Sequence, residues 1–254
     1  MLIVSRSDIG RIRQVNEDSA LIGKLNEHIH FAIVADGMGG HQAGDVASQL
    51  AVEAFRKIIA QHDEIENLTI EDGKRIVKTA IRQANEDIYL LASKMEQYHN
   101  MGTTIVAALI WDDHVVIGHV GDSRAYLATE KNIERVTEDH SLVNVLIQSG
   151  QITEEEAEHH PRKNVLTRAI GTDSQVEIDI ASHAWGDKPY LLLCSDGLSN
   201  RVSEQQMLTV LADQTSIETK ADTLIQYALD SGGEDNITLI LCMKDISKRK
   251  EESQ

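Results

Sequence analysis

The sequence predicts an α+β protein in which long helices lie against antiparallel sheet. Three observations carry this. From about Ala43 to Gln61, and again from about Thr69 to Tyr98, apolar residues recur at three and four spacing, the mark of consecutive amphipathic helices. From Thr103 to Ala128 the period changes to β, with a tight Asp112-Asp113 turn between runs. Elsewhere, apolar runs, the one before Asp36 rich in β-branched residues, end on Asp-Gly, as strands that deliver a carboxylate to a loop.

No Pro-rich, Gly/Ser-rich or repetitive segment divides the 254 residues, which predicts one domain over residues 1–245, while the charged, unpatterned residues 246–254 read as a disordered tail. The formal charge of -17 excludes a basic stripe, so nucleic acid is not an expected partner. It leaves two readings of the carboxylates, a solvated acidic surface or a cluster that holds divalent cations. Cys194 and Cys242 sit in apolar runs without CxxC spacing and read as buried reduced thiols. No run approaches about 18 consecutive apolar residues, and Met1 to Arg6 lacks a signal-peptide pattern, so no membrane segment and a cytoplasmic location are expected. Few aromatics give no oligomer signal, and a monomer is the expectation.

Taken in order, residues 2 to 22 hold two short strand-like pieces around Arg11-Ile12-Arg13-Gln14-Val15-Asn16-Glu17-Asp18-Ser19. An arginine a few residues before two adjacent carboxylates suits a phosphate-binding guanidinium beside groups that hold a cation or its waters; a plain surface ion pair would look the same. His28 to Asp36 reads as a strand running into Asp36-Gly37-Met38-Gly39-Gly40-His41, for which an Asp-Gly turn is the plainer alternative. The two helices follow. Then come strands over Thr103 to Trp111, His114 to Val120 and Arg124 to Ala128, with Gly121-Asp122-Ser123-Arg124 at a strand end.

Residues 139–170 carry little strand signal. Leu142 to Gln148 and Thr153 to His159 look like short helices, and so long an insertion suits a binding flap, though an ornamental excursion would read alike. Tyr190 to Leu198 repeats the apolar-run-then-Asp-Gly design at Asp196. Helices from about Ser203 to Ala212 and Ile217 to Ser231 precede Asp235-Asn236 and a last strand, Ile237 to Met243.

Each Asp-Gly alone is a turn, but Asp36, Asp122, Asp196 and Asp235 all stand at junctions between apolar strands and Gly-containing loops. Converging carboxylates repel, so close clustering implies protons or cations among them. Oxygen ligands without His or Cys partners point to Mg²⁺ or Mn²⁺ rather than zinc. Two such ions about 3.5–4 Å apart can share a carboxylate, generate hydroxide at neutral pH and clamp a phosphoryl oxygen. Asp36 is the best candidate for the bridge, with the Gly37 carbonyl as a further ligand.

Arg13 to Asp18, Val34 to His41, Val120 to Arg124, Ser195 to Leu198 and Asp235 to Thr238 resemble, in order, the signature motifs of the metal-dependent serine/threonine protein phosphatases of type 2C, the PPM family, in its bacterial branch. The resemblance spans about residues 3 to 243. It implies a four-layer α-β-β-α sandwich of two antiparallel sheets flanked by helices. It also implies direct attack of a metal-bridging hydroxide on phosphoserine or phosphothreonine of phosphorylated proteins, opposing a cognate Ser/Thr kinase. By motif, Asp36, Asp196 and Asp235 bind the first Mn²⁺ or Mg²⁺, and Asp36 with the Gly37 carbonyl the second. Glu17 and Asp18 hold metal-bound waters, Arg13 takes the phosphate, and Asp122 joins Asp196 at a third, weaker site beside the flap over residues 139–170.

One departure concerns the leaving group. Eukaryotic relatives place a histidine, a proposed general acid, directly after the Asp-Gly, where this chain has Met38. His41 is the candidate substitute, since an imidazole titrating near neutrality can protonate a leaving oxygen; a local cap on the following helix is its other reading. Three rival functions stand beside the phosphatase: a catalytically silent binding module of the same fold, a phosphatase of a stress-response anti-sigma antagonist, and a divalent-cation buffer. The filled metal positions oppose the first, the expected lack of a sensor domain the second, and Arg13 with the flap the third.

Overall fold

Along Tyr190–Cys194 successive side chains enter different cores. Leu191 and Leu193 join one cluster of buried residues, while Tyr190, Leu192 and Cys194 join another. Alternation with both faces covered makes such a strand read as an unbroken apolar run. The same holds for His30–Met38, where Ala32 and Val34 face one core and Phe31, Ile33 and Ala35 the other.

The computed structural model describes residues 1–39, 43–62, 68–186 and 188–244. Strands β1 (Leu2–Asp8) and β2 (Asp18–Lys24) flank the first loop, and β3 (His30–Met38) precedes the helices α1 (Ala43–Ala60) and α2 (Ile70–Lys94). Next come β4 (Gly102–Thr103), β5 (Ile105–Ile110), β6 (His114–Val120), β7 (Arg124–Ala128) and β8 (Ile133–Arg135). Helices α3 (Leu142–Gln148) and α4 (Glu154–Glu158) lie in the flap. Then follow β9 (Asp179–Ala184), β10 (Tyr190–Cys194), α5 (Asp196–Ser199), α6 (Glu204–Ala212), α7 (Ile217–Asp230) and β11 (Ile237–Met243).

One sheet runs β1-β11-β10-β7-β8 and the other β2-β3-β5-β6-β9, with β4 paired to β3. The pairings are antiparallel. Three apolar layers result: α1 and α2 on the second sheet, α5 to α7 on the first, and a core between the sheets. The fold is thus the expected α-β-β-α sandwich. Burying each Leu, Ile or Val contributes roughly 1.5–3 kcal/mol, so the doubly covered β5 and β10 anchor the two sheets.

Local chemistry sets the element ends. Thr69 caps α2 by accepting from the Asp72 N–H at 3.1 Å, while Asp72 accepts from the Thr69 N–H at 3.1 Å, a reciprocal capping box. The helix stops at Lys94 because Met95 is extended, and only a 3₁₀ turn, Glu96–Tyr98, continues towards the expected end at Tyr98. Both cysteines are free and buried. Among the described residues no helix is long and apolar enough to cross a membrane. Residues 246–254 and His41 lie outside the described residues.

Candidate active site

Asp36 is not in a turn. Strand β3 continues through Gly37 to Met38, pairing Gly37 with Thr103, so the plain Asp-Gly turn is replaced by a strand. The glycine is required by tertiary packing: a Cβ there would lie 2.0 Å from the Gly44 carbonyl oxygen at the start of α1. Gly197 has the same reason, with the Asn236 carbonyl oxygen 1.9 Å from its would-be Cβ. These two close approaches bring a helix start against a strand edge and set Asp36 and Asp196 in place.

The backbone of Asp36 is clamped on both sides. Its N–H donates to Thr104 Oγ1 at 3.1 Å, and its carbonyl accepts from the Thr104 N–H and Thr103 Oγ1, each at 2.8 Å. Across β2 and β3, Asp18 is the register partner of Asp36. Ser195 Oγ donates to Asp18 Oδ2 at 2.8 Å and accepts from the Thr238 N–H at 3.0 Å. Asp196 opens α5 and accepts from Asn200 Nδ2 at 3.0 Å, and its carboxyl lies within hydrogen-bond reach of Asp36. Asp235 stands two residues before β11 and accepts from Arg13 Nη2 at 2.8 Å. Arg13 therefore sits among the carboxylates, paired with Asp235 rather than with its sequence neighbours Glu17 and Asp18.

These groups burden one another. Burial raises Asp36 well above the usual carboxylate range, and Asp18, Asp196, Asp122 and Asp235 push it further. Burial lifts Asp18 to about 7 against the Ser195 and Thr238 hydrogen bonds, with Asp196 and Asp235 adding to the rise. Asp122 is pushed up to about 8 by burial, then by Asp196 and Asp139. Asp196 is raised by burial and by Asp235. Glu17 is raised by burial, partly offset by Arg13.

Among the described residues, the buried acceptors Asp18 Oδ1 and Glu17 Oε1 have no hydrogen-bond partner. Crowded carboxylates, two orphaned oxygens and no nitrogen or sulfur donor among them fit hard divalent cations. All the site residues expected from the sequence that fall within the described residues, Arg13, Glu17, Asp18, Asp36, Gly37, Asp122, Asp196 and Asp235, belong to this one edge. Ser195, Thr103, Thr104 and Asn236, which hydrogen-bond to these acidic residues or to their backbone, carried no role in the sequence reading. The signal that could have found them is a polar residue directly beside each strand-end aspartate or at the start of an otherwise apolar strand.

His119, His140 and Asp179 form a separate group with ligand-type atoms within 4.8 Å of one another. The two imidazoles stack at 4.7 Å and 18°. His140 Nδ1 accepts from the Gly121 N–H at 3.1 Å, which places the ring proton on Nε2, 3.4 Å from Asp179 Oδ2. His119 Nε2 lies 2.9 Å from the Glu138 carbonyl oxygen, so hydrogen bonds to Glu138 and Gly121 hold the stacked pair. A cavity of about 270 Å³ beside it is lined by Ile117, His119, Val136, Glu138, Asp179 and Ile180, and none of the clustered aspartates lines it.

A family profile described as Protein phosphatase 2C matches residues 11–230. The chain belongs to the protein phosphatase 2C family. It is 42% identical over 244 residues, 96% of either chain, to the "Serine/threonine phosphatase stp" of Listeria monocytogenes serovar 1/2a. Among solved structures of protein phosphatase 2C proteins, it matches Stp1 from Staphylococcus aureus with a TM-score of 0.90 and 36% identity, covering 96% of this chain and 94% of that one. It also matches the catalytic domain of PstP in complex with two manganese ions, with a TM-score of 0.82, 33% identity and coverage of 95% and 97%. Metal dependence accompanies this membership of the protein phosphatase 2C family.

Proposed function

We propose that this chain hydrolyses phosphoserine and phosphothreonine in phosphorylated proteins, with Asp36 and Gly37, Asp196 and Asp235 holding two divalent ions, Mn²⁺ or Mg²⁺. The observation that carries this reading is the convergence of Asp18, Asp36, Asp196 and Asp235 around orphaned oxygens, with Arg13 at their rim. Bound there, divalent cations polarise a phosphoryl oxygen and lower the pKa of water at neutral pH.

The chain's own groups do the rest. A phosphomonoester dianion is repelled by bare carboxylates, so Asp36, Asp196 and Asp235 would admit it only with their charge offset by the cations they would hold. Arg13, half-exposed, then takes the phosphate through its fork of donors. Asp18 and Glu17 accept from ordered water, and Asp122 with Asp196 gives a third, weaker cation site next to the flap. His41 is proposed as the general acid. A cognate Ser/Thr kinase, a cytoplasmic setting and a monomer complete the reading.

The test is hydrolysis of a phosphothreonine peptide with Mn²⁺, with Mg²⁺ and with chelator, comparing wild type with Asp196→Asn. Activity only with metal, and its loss in the variant, is expected. Metal-independent turnover or an undiminished variant would refute the mechanism.

A further inference from the structure

Arg13 and Glu17 ride on a loop without regular structure, from Ile9 to Glu17, between β1 and β2. Apolar packing does not hold this loop, since Ile12 is 67% exposed and Val15 40%. One buried side chain from the far end of the sequence ties its two ends together. Asn236 Nδ2 donates to the Ile9 carbonyl at 2.9 Å and to the Val15 carbonyl at 3.0 Å, and its Oδ1 accepts from the Glu17 N–H at 2.8 Å. Both amide hydrogens and the amide oxygen are thereby committed to the two ends of the loop. Two backbone bonds also hold the loop, Arg11 N–H to the Gly233 carbonyl at 2.7 Å and Gly37 N–H to the Glu17 carbonyl at 3.1 Å. Side-chain braces such as Arg11 Nε to the Leu229 carbonyl at 2.8 Å are exposed and compete with water.

We infer that Asn236 is a positioning residue that sets Arg13 for the phosphate and Glu17 over the carboxylate cluster. It follows Asp235 directly, and its own N–H donates to Asp235 Oδ1 at 2.9 Å. One point of backbone therefore fixes a metal-side carboxylate, and through the loop the guanidinium that pairs with it. An asparagine is needed because only a side-chain amide of this length offers two donors and an acceptor to three backbone groups. The inference rests on the reading in which Arg13 binds the phosphate.

Two measurements test it. Amide hydrogen exchange on the metal-free protein should show the Glu17 N–H exchanging faster in Asn236→Ala than in wild type. A double-mutant cycle with Arg13→Ala should show Asn236→Ala lowering kcat/KM on a phosphothreonine peptide by about tenfold or more alone, and by far less when Arg13 is already gone. Thermal melts establish that each variant folds. Asn236→Asp, which keeps the acceptor for Glu17 and loses both donors, carries the same cycle if the alanine variant does not fold. An unchanged Glu17 exchange rate in Asn236→Ala, or equal kinetic losses in both Arg13 backgrounds, would overturn the positioning role. Metal-independent turnover by wild type would instead sink the phosphatase mechanism, leaving the exchange result standing.

Discussion

The hydroxyl of Ser195, at the end of β10, donates to Asp18 at the start of β2 and so ties one sheet to the other at 2.8 Å. The same oxygen accepts from the buried Thr238 N–H. Ser195→Ala leaves that N–H without its acceptor and removes a bond that favours the Asp18 carboxylate. We expect a loss of about 1–3 kcal/mol in urea unfolding and a higher Mn²⁺ concentration for half-maximal thermal stabilisation. Unchanged values in both measurements would show that the bridge contributes nothing.

The raised aspartates set a pH dependence of defined sign. Between the unfolded carboxylate range, about 4, and the folded values near 7 for Asp18 and 8 for Asp122, the folded protein keeps protons that the unfolded chain has released. Stability of the metal-free protein therefore falls as pH rises through that window. Divalent cations compete with those protons, so their stabilising effect grows over the same interval. Thermal melts with chelator and with Mn²⁺ should diverge steadily across that window, from about pH 5 to about pH 8. Parallel curves would contradict the assignment of these carboxylates to one site.

Gly37 and Gly197 make a paired prediction. Alanine at either position drives a methyl into a backbone carbonyl, at 2.0 Å from Gly44 and 1.9 Å from Asn236. Each should cost about 3 kcal/mol or more and abolish phosphatase activity, because the strand and the helix start that carry the aspartates are forced apart. Gly150 is the control. It has a φ of +70° but nothing within 4 Å of a Cβ, so Gly150→Ala should cost only about 1–2 kcal/mol. Equal stabilities of the three variants in urea would remove the close-approach argument.

The same glycines explain what the sequence could say. Strands such as β5 and β10 were legible because both faces are buried and the run of apolar residues is unbroken. Strand β9 was not, since Asp179–Ala184 is a half-exposed edge strand with a charged and a titratable residue in it. Asp36 was legible as a carboxylate at a strand-to-loop junction, yet whether Gly37 made a turn depended on Gly44, brought in by tertiary packing. Ser195 and Asn236 meet partners 177 and 219 positions away. No local pattern announces such a contact.

His140 joins the Asp122 turn to the flap through its backbone and its ring together. Its backbone N–H donates to the Gly121 carbonyl at 3.0 Å, its Nδ1 accepts from the Gly121 N–H, and its carbonyl accepts from the Thr167 N–H at 2.8 Å. The root of the flap beyond Thr167 is held in turn by Arg168, 2.8 Å from Asp179. The side-chain oxygen of asparagine falls close to where Nδ1 of histidine lies, whereas that of glutamine falls near Nε2. His140→Asn should therefore keep the acceptor for Gly121 and lose only the ring stack on His119 and the approach of Nε2 to Asp179, both of which His140→Gln loses or weakens as well. His140→Gln leaves the buried Gly121 N–H unpaired, an added cost of about 1–3 kcal/mol. The Gly121 amide should also exchange faster in the glutamine variant. If both variants lose the same stability, or the Gly121 amide exchanges alike in both, the ring acts by packing and not by holding the turn that carries Asp122.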